Sequence, residues 1–158
     1  NWRYAVTGLS TIVWNADPPK YAVIVCIGES PLLSILKYLS KLDNSKSDIA
    51  LCSNKKIFET GTSNILFIKD KKVFSPINKF YKGVTYKFFK SKINKIFKKD
   101  ISINSIKDFD EIILIGSGKG VASVKTIKQI KWKRKSLKFY NIFFKNFKSA
   151  INNSPRYN

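Results

Sequence analysis

The chain has no His, no Met, two Cys and ten acidic side chains against thirty basic ones. Without His the usual general base is missing, and so are the Ser–His and Cys–His nucleophile schemes. Any chemistry must come from Lys, carboxylates, backbone groups or a cofactor. Cys26 and Cys52 lie too far apart in sequence for a metal pair, and no His completes a site, so no metal is expected. Both sit in apolar, strand-like contexts, which predicts small buried thiols in a reducing compartment and places the protein in the cytoplasm. No run of about 18 apolar residues exists, so no membrane span is expected. The opening Asn1-Trp2-Arg3-Tyr4 carries neither an initiator Met nor a signal pattern, which leads us to expect a fragment whose beginning is missing.

What is present is lysine. The net charge is +20, yet twenty-seven of the thirty bases are Lys, and only Arg3, Arg134 and Arg156 are Arg. Ile, Asn, Phe and Tyr are abundant too, the joint bias of an AT-rich coding sequence. The lysines are spread along the chain, and a surface poor in Arg lacks the bidentate fork that reads bases and phosphates best. A solvated basic surface is therefore expected rather than a nucleic-acid face. An apolar content of 44% and an aromatic content of 14% are enough for a globular core. A chain of this size buries roughly 70% of its unfolded surface.

Alternating and continuous apolar runs predict strands at Tyr4–Val13, Tyr21–Ile27, Asp48–Cys52, Ile57–Glu59, Asn64–Ile68, Val73-Phe74, Asp100–Ile103, Glu111–Ile115 and Val121–Val124. Tight turns are predicted at Asp17-Pro18-Pro19, Ser53-Asn54-Lys55 and Asp70-Lys71. Pro31 opens a predicted helix that runs through Leu42. Gly83-Val84-Thr85 precedes another to about Phe97, with Phe88, Phe89, Ile93, Ile96 and Phe97 on its apolar stripe. Ser136 is expected to cap a last helix to about Ile151, with a frayed tail over residues 152–158.

Three sites carry chemical information. Glu59 is a carboxylate in an apolar strand context, where an unpaired charge would cost several kcal/mol or shift its pKa upward; a cationic partner is expected. Gly83-Val84-Thr85 stands at a helix N-terminus, whose free N–H groups and dipole suit an anion, most simply a phosphate. Gly116-Ser117-Gly118 follows a buried strand, where small residues let backbone N–H groups approach a ligand and Ser117 adds a hydroxyl. Each glycine also reads as an ordinary helix start or turn. The run Ile115–Gly120 is not a nucleotide P-loop: Ile113 stands where the first Gly belongs and Gly120 where Ser or Thr belongs. Taken together, the three sites suggest one ligand with a cationic ring nitrogen and a phosphate, which pyridoxal phosphate satisfies.

The ordered motifs E-T-G-T-S-N-I-L-F-I-K-D, K-G-V-T and E-I-I-L-I-G-S-G-K-G-V-A-S-V resemble the class IV aminotransferases. That family includes branched-chain and D-amino-acid aminotransferases and aminodeoxychorismate lyase. The resemblance runs from about Pro31 to Ile151. It implies an α+β fold: the C-terminal large domain of the fold type IV enzymes, a twisted mixed sheet or pseudo-barrel with flanking helices. It also implies a cofactor-binding domain over residues 31–151, after a poorly matching segment 1–30 and before a disordered tail 152–158. By resemblance Glu59 pairs with the pyridine nitrogen, and Val84, Thr85 and Ser117 bind the phosphate. Gly118 meets the substrate carboxylate, and Thr62 and Asn64 line the cofactor on the substrate side; a purely structural role for Thr62 and Asn64 is equally open.

The lysine that carries the cofactor covalently is matched by Lys37, within P-L-L-S-I-L-K-Y-L-S-K-L. Lys37 stands closer to Glu59 than the family's spacing, and the other register puts that lysine within Val23–Ile27, which has none. The implied reaction is amino-group transfer, or elimination from aminodeoxychorismate giving 4-aminobenzoate and pyruvate. The implied partners are an amino acid, a keto acid or aminodeoxychorismate, with a homodimer for the full-length protein. Two alternatives stay open: a basic module that binds RNA or an anionic surface without catalysis, and an inactive remnant of the fold.

Overall fold

The computed structural model describes residues 21–26, 40–41, 47–77 and 80–154, the first segment as backbone. The expected strand at Tyr4–Val13, the turn at Asp17-Pro18-Pro19, and Lys37 with most of its helix lie outside the described residues. Ser40 and Lys41 stand in an exposed turn rather than in a helix running on to Leu42.

Among the described residues short strands alternate with two helices: β1 (Tyr21–Cys26), β2 (Ser47–Ser53), β3 (Lys56–Thr60), β4 (Asn64–Lys69), β5 (Lys72–Ser75), α1 (Val84–Lys92), β6 (Ile96–Lys98), β7 (Ile101–Ser102), β8 (Glu111–Gly116), β9 (Gly120–Ser123), β10 (Thr126–Ile127), β11 (Trp132–Lys133) and α2 (Lys138–Asn152). The strands form two mixed sheets, in the orders β11-β10-β1-β2-β3-β7 and β6-β5-β4-β8-β9. This is the expected α+β architecture, and among the described residues neither sheet closes into a barrel.

The hairpins β2–β3 and β4–β5 turn on Asn54-Lys55 and Asp70-Lys71, whose φ values are all positive, between 50° and 60°. Such two-residue turns match the twist of the strands they join. The β3–β4 connection differs, because it carries the chain from one sheet to the other. Thr60 N–H donates to the Ser63 carbonyl at 2.9 Å, and Ser63 N–H returns a bond to Thr60 Oγ1 at 2.9 Å.

The second sheet is covered on both faces, which is why β4 and β8 read as unbroken apolar runs. Ile65, Phe67, Ile112 and Leu114 pack toward the first sheet with Ala50, Ile57 and Trp132. Leu66, Ile68, Ile113 and Ile115 pack toward the helices with Tyr86, Phe89 and Phe143. Phe89 of α1 meets Phe143 of α2 with ring centroids 4.6 Å apart.

Three expectations are corrected. The helix predicted to reach Phe97 ends at Lys92, and Ile96–Lys98 instead pairs parallel to β5. The apolar spacing fits either state. The edge of β5 decides for a strand, with Phe97 packed on Phe74 at 5.7 Å. Cys52 is fully buried but disulfide-bonded rather than a free thiol, at the level where the β1–β2 register sets Cys26 opposite it. The reducing-compartment expectation loses the support it drew from free thiols. Finally, α2 starts at Lys138, with no side-chain cap from its N-cap Leu137. Ser136 Oγ accepts the Lys138 N–H at 3.0 Å. The next two amides, of Phe139 and Tyr140, go to the buried Glu111 carboxylate. Burial pushes the Tyr140 phenol above its usual 10.0, and the Arg134 guanidinium opposes the shift.

Among the described residues no helix is long and apolar enough to cross a membrane, and no group of His, Cys, Asp or Glu is placed to hold a metal ion.

Candidate functional site

The turn from Thr60 to Ser63 is the point where three separate stretches of sequence meet. On one side lies the approach to α1. Glu59, near the end of β3 and only 7% exposed, accepts the Tyr81 backbone N–H at 3.0 Å. Asn64, the first residue of β4, donates from Nδ2 to the Tyr81 carbonyl and accepts the Gly83 N–H at 3.4 Å. The two side chains thus fix the backbone immediately before α1. A Cβ on Gly83 would stand 3.3 Å from Asn64 Oδ1, a tight approach that glycine avoids. A backbone donor, Tyr81 N–H, therefore stands beside Glu59, a partner that the search for a cation did not anticipate.

The helix start is suited to an anion. Gly83 is its N-cap and makes no side-chain cap, and the first turn holds no acidic residue. The first amides of a helix have no intrahelical acceptor, and the dipole adds a partial positive charge there. Val84, the first helical residue, is 74% exposed, so this end of the helix is open, while Thr85 beside it is buried.

On the other side of the turn lies the loop between β8 and β9. Ile115 pairs with Asn64 in the sheet, and Gly116 pairs with Gly120 across the loop. A Cβ on Gly116 would lie 3.2 Å from Ser63 Oγ and 3.3 Å from the Thr62 carbonyl, so the loop is seated directly against the turn. Ser117 at its tip is exposed, with Gly118 half-buried behind it. Gly120 has φ +66°, and a Cβ there would sit 2.6 Å from Phe147 Cε1 of α2. Gly120→Ala is therefore expected to lower stability by about 1–3 kcal/mol, from the left-handed backbone and from displacing the ring. A urea titration of the purified protein measures it.

Glu59, Asn64, Val84 and Thr85 thus belong to one neighbourhood; Thr62 lies in the turn itself, and Gly116, which leads into Ser117 and Gly118, is seated against it. Thr62 Oγ1 is already committed, donating to Asp48 Oδ2 at 2.9 Å. Lys37 lies outside the described residues. Sequence reading missed Asp48, Lys119, Thr60 and Tyr81. Asp48 is buried in β2, bonded by Thr60 and Thr62 and ion-paired with Lys119, whose side chain is 5% exposed. The signal available was a carboxylate leading an apolar strand in a chain with few acids; its partner, Lys119, reads in the sequence as one more of the dispersed surface lysines.

A family model for amino-transferase class IV matches residues 33–127, more than half of the chain. The chain belongs to the class IV aminotransferase family. Solved structures share its fold. The branched-chain aminotransferase of the archaeon Thermoproteus uzoniensis, solved with norvaline, superposes with a TM-score of 0.70 at 12% identity, covering 85% of this chain and 52% of its own. The 4-amino-4-deoxychorismate lyase of Pseudomonas aeruginosa gives 0.62 at 15% identity, covering 92% and 58%. An aminotransferase of Brucella abortus bound to pyridoxal phosphate gives 0.62 at 15% identity, covering 84% and 55%. This class IV chain therefore spans little more than half the length of these relatives. No curated protein sequence matches it.

Proposed function

We propose that this chain forms the cofactor-binding part of a pyridoxal-phosphate enzyme that transfers an amino group or eliminates from an aminated chorismate-type substrate. What supports the reading is the meeting, at one turn, of a buried acid, an open uncapped helix start and a glycine loop. The residues present fit the cofactor's chemistry. Pyridoxal phosphate supplies, when bound, an electron-withdrawing ring that stabilises negative charge at the substrate α-carbon. Glu59 would hold the proton on the ring nitrogen. The first amides of α1, with Thr85 and the Ser117 hydroxyl, would hold the phosphate. Gly118 N–H would meet a substrate carboxylate, with Thr62 and Asn64 setting the wall of the site. Lys37 would carry the cofactor covalently and move the α-proton.

The run Pro31–Leu42 and the G-S-G-K-G loop favour the lyase branch, with aminodeoxychorismate as substrate and 4-aminobenzoate and pyruvate as products. An amino acid and a keto acid are the substrates of the transfer branch. The full-length enzyme would act as a homodimer.

Reduction with borohydride after incubation with pyridoxal phosphate, followed by peptide mapping, tests the proposal. One pyridoxyl group on the peptide containing Lys37, absent in Lys37→Ala, is the expected result. Attachment at another single lysine would remove Lys37 from the scheme and leave the cofactor. No saturable attachment or binding would overturn the proposal.

A further inference from the structure

The Lys119 side chain is buried although it sits in a surface loop, whereas most lysines among the described residues are exposed. Its ammonium lies on Asp48 Oδ2, 71 residues away in sequence. The same oxygen accepts Thr60 Oγ1 and Thr62 Oγ1, each at 2.9 Å, while Oδ1 accepts the Ile49 N–H at 2.7 Å. One carboxylate thus gathers donors from β2, from the β3–β4 turn and from the loop between β8 and β9. A buried ion pair is a poor source of stability, since an apolar pair of like volume does as well or better. What it provides here is a fixed position for the loop.

We propose that Asp48 and Lys119 are positioning residues, a clasp that sets the Ser117–Gly118 tip against the cofactor phosphate. The inference rests on the cofactor reading above and adds to it the residues that shape its glycine loop. The tip is held at two points. Lys119 ties it to β2 in the first sheet, and Gly120 is pinned under Phe147 of α2. Between Gly116, seated on the Thr62–Ser63 turn, and Lys119 only Ser117 and Gly118 are left to face a ligand. Because Gly116 packs on Thr62 and Ser63, releasing Lys119 frees the tip without unpairing β8 from β4. Neither Asp48 nor Lys119 needs to touch the cofactor.

The test compares wild type with Lys119→Ala, and with Asp48→Asn as the milder variant in case the first does not fold. Backbone order parameters of the protein without cofactor read the clasp directly. For Ser117 and Gly118 they are expected near ~0.85 in wild type and below ~0.6 in the variants, with Ile112–Ile115 unchanged. Affinities for pyridoxal phosphate and for pyridoxal, which lacks the phosphate, read its purpose. The preference for the phosphorylated form is expected to fall about tenfold, the worth of one hydrogen bond to a charged group. A tip as rigid in both variants as in wild type overturns the clasp. A loosened tip with equal losses for the two ligands overturns its role at the phosphate. A loosened tip in a protein that binds neither ligand supports the clasp and sinks the cofactor reading instead.

Discussion

Glu111→Ala is expected to destabilise the protein by about 3 kcal/mol or more, a large part of the ~5–15 kcal/mol that holds a domain together. Glu111 opens β8 and is 1% exposed. Its Oε1 accepts Ser136 Oγ at 2.9 Å and the Phe139 N–H at 3.0 Å; Oε2 accepts the Tyr140 N–H at 2.9 Å. Helix α2 has no acid in its own first turn and no side-chain cap from Leu137, so this carboxylate from β8 answers both its free amides and its dipole. Alanine would leave those donors without a protein acceptor beside a cavity. The loss also propagates, because α2 carries Phe143 onto Phe89 and Phe147 onto Gly120. Glu111→Gln keeps the volume and one carbonyl oxygen but turns an amide NH₂ toward a backbone donor, and is expected to cost about 1–2 kcal/mol. Urea unfolding of the three proteins orders them. A loss below about 1 kcal/mol for the alanine variant would mean that α2 is held by its apolar face alone.

Whether a feature could be read in the sequence depended on how local its cause is. The turns at Asn54-Lys55 and Asp70-Lys71 were readable because Asn and Asp tolerate the left-handed region and stand between apolar runs. Strands β4 and β8 were readable because burial on both faces leaves continuous apolar stretches. Ile93, Ile96 and Phe97 misled because their spacing suits a helix, and only pairing with β5 makes Ile96–Lys98 a strand. The two-residue strands β10 and β11 carry too few side chains for any period. At the site, Glu59 and the two glycine stretches were visible as local oddities within apolar surroundings. Asp48, an acid at the head of an apolar strand, was an oddity of the same kind, but nothing near it or Lys119 signals a partner 71 positions away. The cap on α2 failed similarly: Ser136 has the right residue type, but the stronger acceptor comes from a strand twenty-five residues earlier.

Glu59→Gln separates a structural from a chemical role for the acid at the centre of the proposal. As a structural residue Glu59 accepts the Tyr81 N–H before α1, and a glutamine carbonyl accepts it nearly as well, so stability should change by about 1 kcal/mol or less. As the partner of a ring nitrogen its charge matters far more. A neutral amide would not hold that proton, and charge developing at the α-carbon would lose its sink. Removing one preorganised electrostatic partner of a transition state lowers kcat by roughly 10²–10³-fold. Because the charge builds up only along the reaction, the loss should fall on kcat, with KM for the amino donor little changed. Glu59→Asp keeps the charge on a shorter arm and should recover part of the rate. A thermal midpoint near wild type alongside a collapsed kcat is the expected pair of observations. If Glu59→Gln turned over within a few-fold of wild type, Glu59 would be only the anchor of the chain before α1, and the cofactor's ring would have to be held elsewhere.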